Sequence, residues 1–379
     1  MARESLPPIR IDRIELRRIS LPLVTPFRTS FGTETARDIL LVRVEAEGVE
    51  GWGECVAGNE PLYSSEYVEA CQHVCRNHLI PRLLRHDDGR IDADRVATVL
   101  EPVKDHRMSK GALEAAVLDA QLRAHGTSMA ERFGAVRDRV PSGVSVGIMD
   151  SIDELVNAVG RYLDDGYVRI KLKIEPGWDL DPVAEIRRTF GDATPLQVDA
   201  NTAYTRDDGA HLARLDRFGL LLIEQPLPED DVTGHALIAR QVETPICLDE
   251  SITSASAAVD AIERKACSIV NIKAGRVGGY LEAVRVHDEC AERGVPVWCG
   301  GMLETGVGRA MNLALAALPG FTLTGDVSAS ERFWARDIVD EPVRLKDGHV
   351  HVPTRPGSGV EIDRDFLDSV TTSTVEVGR

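Results

Sequence analysis

What the 379-residue chain lacks narrows its function first. It has no basic excess: 44 Lys and Arg stand against 61 Asp and Glu, a net charge of −17. Nucleic acid and anionic membranes both call for a basic surface, so neither is expected as a partner. No apolar run is long enough to span a bilayer, and the opening MARESLPPIR lacks the apolar core of a signal peptide. There is no Cys-x-x-Cys pair. The seven cysteines (55, 71, 75, 247, 267, 290 and 299) are odd in number, which argues against a disulfide framework. A reduced, cytoplasmic, soluble protein is expected. A Gly-x-Gly-x-x-Gly turn after a first strand is also missing, since "GRVGG" and "GGMLETGVG" depart from that order and fall late. "CQHVCRNH" sets Cys71, Cys75 and His78 at helical spacing, but a single helix does not supply the separated ligand pairs of structural zinc. No zinc is expected.

Apolar content of 43% and charged content of 28% are those of an ordinary globular protein, long enough for two domains or a barrel with an addition. From about residue 142, β-rich runs alternate with helical patterns at a repeat near 25 residues. The strand candidates are 143–148, 168–174, 196–200, 220–226, 246–250, 268–273, 296–301 and 321–326. Eight strands with eight connections predict an α/β fold, a (β/α) TIM-type barrel. Residues 1–135 read instead as antiparallel strands followed by helices, an α+β capping domain with a lid loop. The barrel is placed at 136–326, and 327–379 as a C-terminal segment returning to the cap.

Three barrel strands end in acids: Asp199 in "LQVDAN", Glu224 in "LLIEQP" and Asp249 in "ICLDES", at intervals of 25 and 25 residues. One βα unit apart, they stand at one level, the C-terminal rim where such barrels build their sites. Three converging carboxylates repel unless a cation neutralises them, and oxygen-only ligation suits Mg²⁺ (or Mn²⁺), one divalent ion. The sixth strand ends in Lys273. The second, "RIKLKIE", carries Arg169, Lys171 and Lys173 on one face by its two-residue alternation. The rim therefore reads Lys, Asp, Glu, Asp, Lys. A lysine beside a cation and another amine favours its neutral form, as a base near neutral pH requires. Lys171, one pleat below Lys173, either lowers that pKa by like-charge repulsion or supports a metal ligand.

Lys-x-Lys, then Asp, Glu, Asp, then Lys resembles the enolase superfamily, muconate-cycloisomerase-like subgroup, whose sites use Lys or His bases with Mg²⁺. The segments "PFRTSFG", "GWGEC", "PLYSSEY", "SVGIMD", "GYVRIKLKIEPGWD", "QVDANTAYT", "NIKAGRVGGYLEA" and "PVWCGGMLETGVG" are spread over nearly the whole chain. They are similar to those of the o-succinylbenzoate synthase / N-acylamino-acid (N-succinylamino-acid) racemase proteins. Ala274 is one departure, standing where a proline is expected. The resemblance implies a modified, enolase-like barrel and a carboxylate substrate bound to the metal. Lys173 would remove the α-proton to give an enediolate, and Lys273 would return one to the opposite face. In the synthase reaction, a dehydration of the menaquinone pathway, Lys173 would act alone as base and then acid. Lys273 would hold the enediolate by its charge.

Around this centre, Asn201 and Ser145 are candidate substrate contacts, and Lys171 and Glu250 candidate supports. Gly300, Gly301 and Glu304 follow the seventh strand, where backbone N–H groups often bind anions. Phe27 and Phe31 would give the lid apolar cover. A small-molecule carboxylate as partner and a homo-oligomer are expected. A Schiff-base aldolase also uses a strand-six lysine but leaves the acids unexplained. A non-catalytic barrel predicts no α-proton exchange. Another cycloisomerase or epimerase with two lysines stays open, although "GDVSAS" offers only Asp326 where dipeptide epimerases carry Asp-x-Asp.

Overall fold

The computed structural model describes residues 6–378. β1 (Ile9–Thr29), β2 (Gly32–Ala46) and β3 (Val49–Cys55) form an antiparallel meander. Alternation drives it: Ile9 and Ile11 are buried while Arg10 and Asp12 are exposed. Helix α1 (Arg107–Ala124) crosses the sheet on the glycines of β3. A Cβ at Gly51 or Gly53 would lie 2.2 Å from the Ala116 carbonyl oxygen or 2.1 Å from that of Ala112, so only glycine lets the helix sit this close.

Seven parallel strands follow: β4 (Gly143–Val146), β5 (Arg169–Lys173), β6 (Leu196–Asp199), β7 (Ile223–Glu224), β8 (Ile246–Leu248), β9 (Ile269–Ile272) and β10 (Val297–Cys299), each paired with the next. Register aligns Lys173 with Asp199 and Asp199 with Glu224. The connecting helices include α2 (Ile152–Asp164), capped by the Ser151 side chain, α3 (Tyr280–Glu292) and α4 (Gly306–Ala316). They turn apolar stripes such as Leu155, Ala158 and Val159 onto the sheet.

The expected eighth strand, 321–326, is corrected. It forms no ladder, only single bridges from Phe321 to Val297 and from Gly325 to Ser142. A Cβ at Gly325 would lie 2.7 Å from the Cys299 carbonyl oxygen, and Asp326 N–H donates to that same oxygen. The segment thus closes the gap between β10 and β4 by point contacts.

The last element, β11 (Thr371–Gly378), returns to the cap and pairs antiparallel with β1, giving the order β11-β1-β2-β3. Two buried cap glutamates seat the barrel's helices. Glu54 accepts from Thr305 N–H, the Thr305 hydroxyl and Gly308 N–H at the start of α4; Glu114 accepts from Tyr280 and Leu281 N–H at the start of α3. These bonds satisfy N–H groups that a helix leaves unpaired. Burial pushes both carboxyls up to about 7. Among the described residues no helix is long and apolar enough to cross a membrane.

Candidate active site

Every side chain of β5 is buried, so the basic row of "RIKLK" faces the barrel interior, not water. Arg169 pairs with Asp326 at 2.7 Å. Lys171 meets Asp326 at 2.6 Å, Glu224 at 3.1 Å and Asp199 at 3.2 Å, with its amine 4.8 Å from the Trp298 ring centroid. Burial works against its charged form, but the three carboxylates outweigh it and hold its pKa above the ordinary lysine value. Lys171 thus touches two of the three rim acids, and its like charge acts on Lys173.

Lys173 donates to Asp199 Oδ2 and to Asn201 Oδ1, each at 2.6 Å. Burial, with the like charges of Lys171 and Lys273, holds its pKa below the ordinary value against the pull of Asp199. That direction suits a base. Lys273 donates to Asp249 Oδ2 at 2.7 Å and to the Tyr63 hydroxyl at 3.2 Å. Burial alone would lower it, yet Tyr63, Glu250, Glu224 and Asp199 leave its pKa raised. The two amines sit in opposite electrostatic settings.

Asp199, Glu224 and Asp249 have no exposed surface. Burial, then Asp199, raises the pKa of Glu224; Asp199 itself is held low, the lysines overcoming its burial. As they stand, the three carboxylates are drawn onto Lys173, Lys171 and Asn271, and Lys273 and Arg276. Among the described residues no three acidic, His or Cys side chains are grouped tightly enough to ligate an ion in this geometry. The donor set nevertheless fits a hard divalent cation. All its donors are oxygens, and the buried acid Glu250 has its Oε2 without a partner. Glu250 Oε1 accepts from Asn201 at 2.8 Å, and burial with Asp199 raises its carboxyl to about 7.

A cavity of about 260 Å³ opens on this cluster, lined by Lys171, Lys173, Lys273, Asn201, Ser145 and Tyr63. Ser145 keeps its Oγ buried and unpaired. Phe27 and Phe31 line the outer part, packed on Phe333 (6.3 Å between centroids) and Tyr63 (5.9 Å). The segment expected as a lid forms the end of a hairpin, with Phe27 paired to Glu34 and Thr29 to Gly32 across β1 and β2. Its tip is fastened to the barrel: Ile148 N–H donates to Arg28 O at 2.9 Å, and Ser30 Oγ to Ala200 O and Asn201 O at 3.2 and 3.1 Å.

Gly300 is also corrected. Its N–H is spent on Ile272 O at 3.1 Å, so it has no free donor for an acyl group. What the position requires is the absence of a side chain, because a Cβ there would lie 2.4 Å from Asn271 Oδ1 and 2.8 Å from Lys273 Cε. Gly301 and Glu304 do line the cavity, with Glu304 Oε1 already accepting from Met302 N–H and Asn312. Cys71 and Cys75 are buried while His78 is exposed.

Sequence reasoning gave no role to Tyr63, Asn271, Arg276 or Trp298. Asn271 Nδ2 holds Glu224 Oε1 at 2.7 Å. It stands two residues before Lys273, the same face of β9, and that alternation was the available signal.

Residues 13–134 match the family model for the mandelate racemase / muconate lactonizing enzyme N-terminal domain, and residues 154–366 the enolase C-terminal domain-like model. A protein from an Amycolatopsis species named N-succinylamino acid racemase is 62% identical, over 98% of this chain and 100% of its own. One from Geobacillus kaustophilus named o-succinylbenzoate synthase is 45% identical, over 96% of each. The crystal structure of an enolase-superfamily member from Listeria innocua superposes with a TM-score of 0.93 at 37% identity, covering 98% of this chain and 99% of that one.

Proposed function

Because this chain belongs to the enolase superfamily, in its mandelate racemase / muconate lactonizing enzyme branch, we propose that it abstracts the α-proton of a small carboxylate and acts as an o-succinylbenzoate synthase, an N-succinylamino acid racemase, or both. The observation that carries the reading is the pair of amines, Lys173 and Lys273, opening on one cavity beside three buried acids. Enzymes of this superfamily depend on a divalent metal ion. Here Asp199, Glu224 and Asp249 would hold one Mg²⁺ or Mn²⁺. Such an ion supplies the charge that acidifies the C–H next to a bound carboxylate and steadies the enediolate.

The protein's own groups do the rest. Lys173, held below the ordinary lysine pKa, accepts the α-proton. Lys273, held above it, carries the proton that returns from the other side in racemisation, and the roles reverse for the other enantiomer. In dehydration Lys173 passes its proton to the departing hydroxyl while the Lys273 ammonium offsets the negative charge. One pair thus serves both reactions because both run through one enediolate. Phe27, Phe31 and Phe333 give the cavity its apolar lining.

Side-by-side assays of dehydration to o-succinylbenzoate and of N-succinylamino acid racemisation test the proposal. Activity on at least one substrate, lost in EDTA and restored by Mg²⁺, is expected. Inactivity on both, or full activity in EDTA, overturns it. Self-assembly belongs to the same proposal and is read by sedimentation.

A further inference from the structure

The two amines differ in where their neighbours come from. Lys173 is held by Asp199 and Asn201, both on the barrel. Lys273 is held by Asp249 from the barrel and by Tyr63 from the cap, between β3 and the helix Val68–Val74. The Tyr63 hydroxyl accepts from the Lys273 amine at 3.2 Å, and the amine lies 4.9 Å from the ring centroid. One side chain of the cap thus holds the ammonium by a charge-assisted hydrogen bond. Phe31, on the hairpin tip, backs that ring.

Among the described residues Asp249 is the other hydrogen-bond acceptor at the Lys273 amine, so loss of the hydroxyl would leave the amine free to turn towards it and away from the cavity. Lys173 has no contact with Tyr63 through which to feel the change. We propose that Tyr63 is the positioning residue for Lys273 and not for Lys173, so that a cap side chain holds the amine on one face of the α-carbon while barrel side chains hold the amine on the other. The proposal rests on the two-lysine reading above.

Because each lysine takes the proton from one enantiomer, the effect is directional. The measurement is α-proton exchange in D₂O, followed by NMR, for each pure enantiomer of one N-succinylamino acid. The Lys273→Ala protein first marks which enantiomer depends on Lys273. For that enantiomer, exchange is expected to fall about 10-fold in Tyr63→Phe and about 100-fold in Tyr63→Leu, the scale of a misplaced catalytic group. For the other it stays within about twofold. General damage to the fold would slow both alike, so the ratio of the two losses is the readout. A ratio of fivefold or more in Tyr63→Leu supports the proposal and a smaller one overturns it. Wild-type protein that exchanges neither enantiomer, or Lys273→Ala protein that still exchanges both, overturns the two-lysine reading and the proposal with it.

Discussion

The Lys173 amine and the Asn201 amide oxygen lie 2.6 Å apart, and the other end of that amide donates to Glu250 at 2.8 Å. Asn201 therefore joins the proposed base on β5 to a buried acid beyond β8. It does so from a left-handed backbone conformation, φ +41°, sparsely used outside glycine, though asparagine tolerates it best. The adjacent Thr202 has φ +67° and is pinned by its N–H to Gln225 O at 2.8 Å.

Asn201→Ala removes an acceptor from a charged amine. Hydrogen bonds to charged groups are worth about 1.5–3 kcal/mol, so kcat is expected to fall roughly 10- to 100-fold. Steady-state kinetics check this, and an unchanged kcat would show that Asp199 alone suffices to place Lys173.

Gly300→Ala places a methyl group against Asn271 and the Lys273 side chain. Overpacking of this kind costs about 1–3 kcal/mol of stability, within what a large domain tolerates. The displaced lysine, however, is expected to lower kcat about 100-fold. Circular dichroism and kinetics on one preparation separate the two; a folded variant of wild-type activity sinks the argument.

Asn271→Ala frees Glu224 from the 2.7 Å bond that orients it. Loss of such an outer partner typically costs roughly 10- to 100-fold in metal affinity. Asp199→Asn and Asp249→Asn remove proposed ligands outright and are expected to cost more. Titration calorimetry with Mg²⁺ gives the order, and equal affinities across the series would refute the ligand assignment.

The glutamates that seat the barrel helices carry a pH signature. Glu54 and Glu114 stand near 7 in the folded protein against 4.5 for the free side chain. A raised carboxyl pKa means that the folded state binds the proton more tightly. The stabilisation is therefore complete below about 4.5 and is lost as pH rises through about 7, roughly 3 kcal/mol for each group. Melting curves between pH 5 and 8 are expected to show a smaller decline in a Glu54→Gln, Glu114→Gln double variant than in the wild type. Parallel curves would mean that neither group titrates there.

The placement of the rim side chains was largely legible in the sequence because the barrel repeat turns spacing into position. Asp199, Glu224 and Asp249, 25 residues apart, could only share a rim, and Lys173 and Lys273 fell in phase with them. The eighth strand was not legible. "FTLTGD" has the composition of a strand, but contact with Cys299 at Gly325 replaces the ladder with single bridges. Gly300 was placed correctly and given the wrong reason, since its amide is consumed by the sheet. Tyr63 was quoted within a motif without a role. It reaches Lys273 across 210 residues of chain, and no periodicity relates a cap segment to a barrel strand.

The pairing of β11 with β1 has a consequence for biosynthesis. Arg13 and Glu376 meet across 363 residues of sequence. During translation the cap sheet stays one strand short until the whole barrel has been made, and its outer edge meanwhile offers unpaired N–H and C=O groups. Contacts between such distant segments form late and slowly. A chain cut short after the barrel would keep every proposed catalytic side chain and still leave β1 as a template for aggregation.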